Sequence, residues 1–449
     1  KDETSSPSPS PLPPAAPPPH VDDGLKFRCL GWKRLTICLI VEAIALGALS
    51  VPSAFAAVGM VAGVVLCVGL GLVAIYTSYV VGQVKLRHPH VQHYADAVQL
   101  IWGRAGAELA GVMFVALLVL LVGSHALTGT IALVRIVGDP GVCALVWGIV
   151  AAVLLFALAL PPTFSEFAIL GYIDFASIVC AIGITIVAAG VSGAQHTGGL
   201  AAVDWSLWPP PDMTFTRAFL AVTNIVFAYS FAVCQFSFMA EMHTPAHYVR
   251  SVWALGLTEI ITYTVTGALI YAFVGNDVAS PALLSAGPLI SRVAFAVALP
   301  VIFISGSINS VVVGRYVMTR AFARSSVRFI ADARGWAVWV TLISVVTVVA
   351  WIIAEAIPFF NALLGIISAL FISGFSFYFP ALFWFQLIKE GKWYRGWRNL
   401  TLSLLNAAVF VLGMVILVGG TWASASDIIK GYRDGNVRGS FSCDAGQYR

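Results

Sequence analysis

From Leu35 to Val81 the chain reads LTICLIVEAIALGALSVPSAFAAVGMVAGVVLCVGLGLVAIYTSYVV, and Glu42 is its one Asp, Glu, Lys or Arg. About 20 apolar residues span the hydrocarbon core of a bilayer, and a helix satisfies its own backbone there. The run holds two such helices, Leu35–Val58 and Met60–Val81, parted at Gly59. Nine more apolar stretches follow: Ala107–Val134, Cys143–Leu160, Phe167–Val191, Ala218–Ala240, Val252–Val274, Val293–Val313, Trp336–Ala354, Phe359–Ile388 and Leu400–Thr421. The tenth of the eleven is long and carries Pro380, which predicts a bend.

Composition agrees. The 449 residues are 59% hydrophobic and 10% charged, against about 25% charged in soluble domains. A water-soluble fold could not hide that much apolar surface. The net charge of +4 comes with no separate basic domain, so nothing points to nucleic acid. The Pro- and Ser-rich start, residues 1–32, reads as a disordered cytoplasmic tail. Residues 33–421 form the transmembrane domain and 422–449 an extracellular tail.

Basic residues orient the chain. With the N-terminus in the cytoplasm, the inner short loops and the pre-membrane segment hold seventeen Lys and Arg, among them Arg34, Lys85, Arg250 and Arg320. The outer short loops hold Arg135, Arg217 and Arg292. The amphipathic stretch His93–Trp102 is expected to rest on the inner surface. Trp205 and Trp208 suit the outer interface. Seven cysteines lack metal-ligand spacing. Cys143 and Cys443 fall on the same outer side and are able to pair, although a mobile tail favours two unpaired thiols.

Residues able to carry chemistry lie inside the spans. In the first, Gly47 and Pro52 bracket Ala48–Leu49–Ser50–Val51, and Pro52 has no N–H for the Ala48 carbonyl. Unwound backbone there would offer donors and acceptors to an amino acid's carboxylate and ammonium. An ordinary proline kink is the competing reading. The sixth span has no Gly or Pro in its membrane part, and Phe227, Tyr229, Ser230 and Phe231 lie near its middle. Buried ionisable groups are functional candidates by default. Glu42 lies about 12 Å into its helix and Glu259 about 14 Å. Asp174 sits in the fifth span, and His125 in the third beside Ser124 and Thr128. No Lys or Arg lies deep in a span to neutralise the acids, so they are candidates for carrying a proton. Snorkelling and plain hydrogen bonds are the alternatives for Glu42 and Asp174, and a satisfied buried histidine for His125. Ser305, Ser307 and Asn309 in the eighth span are either ligand groups or interhelical glue.

Three segments carry a family resemblance. EAIALGALSVPSAFAAVGMVAG (Glu42–Gly63) resembles the opening helix of the amino acid/auxin permease family. IPFFNALLGIISALFISGFSFYFPALFWF (Ile357–Phe385) looks like that family's late signature. FAYSFAVCQFSFMAEMHTP (Phe227–Pro245) is similar to the sixth helix of fungal-type neutral amino acid permeases. The resemblance covers Lys33 to Thr421. It implies an all-α, LeuT-like fold of eleven transmembrane helices. Two inverted five-helix repeats, about 35–191 and 218–388, are followed by an extra helix, about 400–421. It also implies uptake of neutral amino acids, usually with protons. By position, Gly47, Ala48, Leu49 and Ser50 would hold the substrate backbone, with Ala228 to Ala232 opposite. Many relatives carry Gly-His where this chain has Phe231–Ala232.

The expected activity is therefore proton-coupled import of neutral aliphatic or aromatic amino acids at the plasma membrane. Phe227, Ala228, Tyr229, Ser230, Phe231, Ser124, Thr128 and Ser305 join Gly47–Ser50 at the substrate. Glu42, Asp174, Glu259 and His125 are the coupling candidates. A vacuolar or facilitative carrier and a sodium-coupled symporter remain open. The proton is the one coupling ion invoked, with no cofactor or metal, and a monomer suffices. A membrane-embedded enzyme would need a catalytic cluster. His88, His90 and His93 fit no metal geometry.

Overall fold

The structure, a computed structural model, describes residues 31–138, 141–162, 167–195, 199–230, 232–240, 242–322, 325–330, 332–394, 396–435 and 438–444. The side chains of Arg34, Cys38, Val41, Glu42, Ser326 and residues 167–169 lie outside this description. So do Phe231 and nearly all of the N-terminal segment expected to be disordered. Every long element is helical: α1 (Trp32–Val58), α2 (Met60–Arg87), α3 (Tyr94–Val137), α4 (Ala144–Ala159), α5 (Phe167–Gln195), α6 (Phe215–Ala228), α7 (Gln235–Ala240), α8 (Tyr248–Val274), α9 (Pro288–Ala321), α10 (Ala333–Ala356), α11 (Phe360–Ile388) and α12 (Trp397–Asp434). Among the described residues eight helices are long and apolar enough to cross a membrane, and three more apolar helices are shorter: Ala43–Val58, Ala144–Ala159 and Phe215–Ala228.

Gly59 makes the turn between α1 and α2 with φ of 80°, and a Cβ there would strike the Trp208 carbonyl. Left-handed backbone and close approach together call for glycine. The stretch expected on the inner surface is the first part of α3, which turns at Gly103 (φ 62°) into the membrane span. One face of it packs into the protein, and Gln99, Leu100 and Trp102 stay exposed. Tyr94 is buried, donates to the Phe375 carbonyl at 2.5 Å and packs among Phe236, Phe375 and Phe383. At its head, the Asp96 carboxylate accepts from the backbone N–H of Gln92 and His93.

His93 ties this helix to two others. Its ring shares a hydrogen bond with Ser237 of α7 (3.1 Å) and meets Tyr316 of α9 edge-on (5.3 Å). Burial holds the imidazole below its ordinary 6.5. Asp96 opposes that shift, and Lys85, Arg315 and Arg320 add to it. A lowered imidazole contributes stability that is complete above the unfolded value and is lost as pH falls through it. The joint should therefore weaken below about pH 6.5. Melting temperature followed from about pH 8 to about pH 5 should fall more steeply in wild type than in His93→Gln.

The bend expected at Pro380 takes the form of π-helical turns, Ser368–Ile372, Gly374–Tyr378 and Trp384–Ile388, on either side of the proline. Such turns absorb a missing backbone bond without breaking the helix. The tail expected to be mobile from residue 422 is instead helical to Asp434. Cys443 is disulfide-bonded to Cys143, which corrects the preference for two free thiols. The pairing is seated by the Ala144 N–H donating to the Cys443 carbonyl (3.1 Å). Arg438 and Glu355 form an ion pair at 2.6 Å, both 1% exposed.

Candidate functional site

The site grows from a break that no Gly or Pro announces. α6 stops at Ala228, Tyr229, Ser230 and residues 232–234 are not helical, and α7 resumes at Gln235. The Tyr229 N–H bonds back to Val226 in a tightened last turn (3.1 Å), and Val233 N–H bonds to Ser230 (3.2 Å). Ala228 thereby loses its helical partner, and the Tyr263 hydroxyl of α8 donates to that carbonyl (3.1 Å). The same hydroxyl donates to the Ala43 carbonyl of α1 (2.9 Å). A tertiary donor replaces the backbone bond, which is what makes a broken helix tolerable at membrane depth.

α1, by contrast, is helical from end to end despite Pro52. The unwound centre expected there is not present. The Ser50 and Ser53 hydroxyls bond to carbonyls one turn back, Gly47 (3.0 Å) and Ser50 (2.8 Å). Gly47 serves packing instead: a Cβ would lie 2.8 Å from the Ala228 Cα and 3.2 Å from the Tyr263 hydroxyl. Overpacking against backbone costs about 1–3 kcal/mol. Gly47→Ala should lower the melting temperature of the purified protein, with a matching loss of uptake.

Between these elements lies a small cavity of about 20 Å³. Space of that size holds a water molecule. Ala43 and Leu46 of α1, with Leu117 and Leu121 of α3, make its apolar side. Phe227, Ser230 and Val233 border it from the broken helix, and His125 and Asn309 add polar groups from α3 and α9. Among the described residues that line it, none carries a fixed charge.

Behind Asn309 runs a polar track along one face of α9. The Asn309 amide donates to the Ser305 carbonyl (3.0 Å), and the Ser305 hydroxyl donates to Asp174 Oδ2 of α5 (2.9 Å). Asp174 is fully buried, and its Oδ1 has no protein donor. His125 bonds to the Ile302 backbone and leaves Nδ1 without a partner. Glu259 of α8 is fully buried with both oxygens unpartnered.

Of the residues singled out in the sequence, Phe227, Ser230 and His125 meet at the cavity. Gly47, Ala48, Leu49 and Ser50 are buried beside it, and the wall belongs to Ala43 and Leu46 one turn earlier. The Ser124 and Thr128 hydroxyls are spent on carbonyls within α3 (both 2.7 Å). Ser305 reaches Asp174, and Tyr229 packs toward α8. Phe231 and the Glu42 side chain lie outside the described residues. The sequence reading missed Tyr263. Its spacing of four from Glu259 places the two on one face of α8, and that was the available signal. Among the described residues no group of three His, Cys, Asp or Glu is arranged to hold a metal.

A broken helix beside a continuous partner, with a small chamber at the break, is transporter architecture. Residues 28–426 match the family model for the transmembrane amino acid transporter protein. The chain belongs to that family. It is accordingly a multi-pass membrane transporter of amino acids, not an enzyme. It is 56% identical over 427 residues to a Neurospora crassa protein called N amino acid transport system protein, covering 95% of this chain and 91% of that one. It is 29% identical to a transmembrane transporter of Gibberella moniliformis, covering 94% of this chain and 89% of that one. Identity to amino acid permease 8 of Arabidopsis thaliana is 25%, over 89% of this chain and 92% of that one. In fold it resembles a nucleobase-cation-symport-1 family transporter solved closed with bromovinylhydantoin bound. The TM-score is 0.55 at 14% identity, over 91% of this chain and 93% of that one. That likeness supports the LeuT-like fold.

Proposed function

We propose that this transporter imports neutral, aliphatic or aromatic amino acids by proton symport and alternating access. It would act as a monomer at the plasma membrane, with the N-terminus cytoplasmic and the C-terminus outside. The carrying observation is the track from the cavity through Asn309 and Ser305 to Asp174. It puts a carboxyl with no cationic partner among the described residues within reach of the substrate chamber. A proton on Asp174 neutralises it without a counter-charge, which suits a group that must cross between states in low dielectric. The described lining residues, uncharged and mainly apolar, favour neutral side chains over acidic or basic ones. Ser230 and the carbonyls at the helix break offer contacts for the substrate backbone. The name of the Neurospora relative, N amino acid transport system protein, is in keeping with this reading.

The test is uptake by reconstituted proteoliposomes of neutral, acidic and basic amino acids, with and without an inward proton gradient. Neutral substrates should accumulate when the gradient is applied. Uptake that follows sodium and ignores protons would replace the coupling ion. Equilibration without accumulation would make the protein a facilitative carrier.

A further inference from the structure

The broken helix has a second side. Toward α2 and α8, which contribute no cavity-lining residue, it presents Tyr229. The Tyr229 ring meets Tyr263 edge-on at 5.3 Å and rests beside Gly71 of α2. Glu259, one turn before Tyr263 on the same face of α8, interacts electrostatically with both phenols. Cys67 of α2 is the other titratable neighbour. On α5, also packed against α8, the buried acid is Asp174, already bonded to Ser305. On α1 the side chains of Arg34 and Glu42 lie outside the described residues. Three buried oxygens here receive nothing from the protein: both of Glu259 and the Tyr229 hydroxyl.

Tyr263 has one hydroxyl hydrogen, shared between the carbonyls of Ala43 and Ala228. A carboxylate is a stronger acceptor than an amide carbonyl. A buried carboxylate with no donor also costs far more than a neutral carboxyl. The two demands on this hydroxyl therefore compete, and the proton on Glu259 decides between them.

We infer that Glu259 and Tyr263 form a proton-operated clamp on the junction between α1 and the broken helix. The structure shows Tyr263 on both carbonyls, the arrangement assigned to protonated Glu259. When Glu259 releases its proton, the hydroxyls of Tyr263 and Tyr229 turn to the carboxylate. The carbonyls of Ala43 and Ala228 are then set free, and the turn that walls the cavity loosens. The exchange breaks no covalent bond beyond the O–H of the departing proton, which leaves to water. Tyr263 is a positioning residue in this scheme, acting on the cavity through two backbone carbonyls. The clamp rests on the proton-coupled reading above and names where a second proton acts.

The test reads the junction rather than transport. Cys29→Ser, Cys38→Ser, Cys67→Ala and Cys180→Ser leave Cys234, buried beside the turn, as the one cysteine outside the Cys143–Cys443 disulfide. Its alkylation by N-ethylmaleimide is followed in proteoliposomes from about pH 6 to about pH 8. Glu259→Gln in the same background removes the clamp's titration and keeps the intrinsic response of the thiol. The parent should gain about fivefold more labelling than Glu259→Gln across that range, the population change for one lost hydrogen bond. Tyr263→Phe should label fast at every pH, with a slope no steeper than Glu259→Gln. Superimposed profiles of parent and Glu259→Gln overturn the clamp, as does a Tyr263→Phe profile that keeps the parent's slope. Should Glu259→Gln fail to fold, Glu259→Met replaces it as the non-titrating reference. Loss of proton-driven uptake in the parent would refute symport alone, because the labelling difference is read independently.

Discussion

Asp174→Asn should leave the protein folded and able to exchange substrate, and should erase accumulation against a gradient. The amide is isosteric and still offers an oxygen to the Ser305 hydroxyl, so the α5–α9 contact survives. What it cannot do is gain and lose a proton. For one proton per substrate, a one-unit inward pH gradient stores about 1.4 kcal/mol and supports about tenfold accumulation. Wild-type proteoliposomes should approach that ratio, and Asp174→Asn should level off near equality. Counterflow of labelled against unlabelled substrate, which needs no net driving force, should persist in the variant. Gradient-driven accumulation that survives in Asp174→Asn would move the coupling proton to another group. The buried Glu259, unpartnered and on a separate helix, is the next to replace.

The spans were legible because twenty apolar residues in a row have one use, and Gly59 marks the first turn whether read in sequence or in space. The helix break was misplaced for a reason the residues make plain. Gly47 and Pro52 are the residues expected to break a helix, yet α1 stays whole. The Ser50 and Ser53 hydroxyls bond along its backbone there, and Gly47 gives up its side chain to let Ala228 approach. The break falls instead at Tyr229, where local propensity is silent. It is held by Tyr263, thirty-five residues from the Ala228 carbonyl it bonds. A tertiary donor leaves no local signal. That Phe227, Ser230 and His125 border the cavity was legible only as polar or aromatic residues standing in mid-span. The Cys143–Cys443 pairing could be named but not preferred from sequence, because what seats the tail beside it, Glu355 on Arg438, lies 83 residues away.

Glu355→Gln should cost about 3–5 kcal/mol, the penalty for stranding one member of a buried ion pair. Arg438 is 1% exposed, and besides Glu355 it donates to the Ser442 carbonyl (3.0 Å). Removing the carboxylate leaves the guanidinium in a site shaped for a pair. Gly148 of α4 has no side chain, which leaves room for the Glu355 carboxyl. The usual escape is local: the tail segment lifts off, the arginine is hydrated, and the measured cost shrinks to that of the contacts given up. Here those include the Tyr432 hydroxyl on the Ala356 carbonyl (2.6 Å) and Tyr432 packed against Phe359 (4.9 Å). The disulfide forbids much of that escape, because Cys443 is only five positions beyond Arg438 and fixed to α4. The two features are therefore coupled. Glu355→Gln should carry its full cost with the disulfide intact. In a Cys443→Ser background it should cost distinctly less, since the freed tail can take Arg438 into water. Chemical or thermal unfolding of the four proteins in a double-mutant cycle measures that coupling. Strict additivity would mean the tail does not confine Arg438. The apolar pair Glu355→Leu with Arg438→Leu should sit near wild type, since removing both charges leaves none stranded.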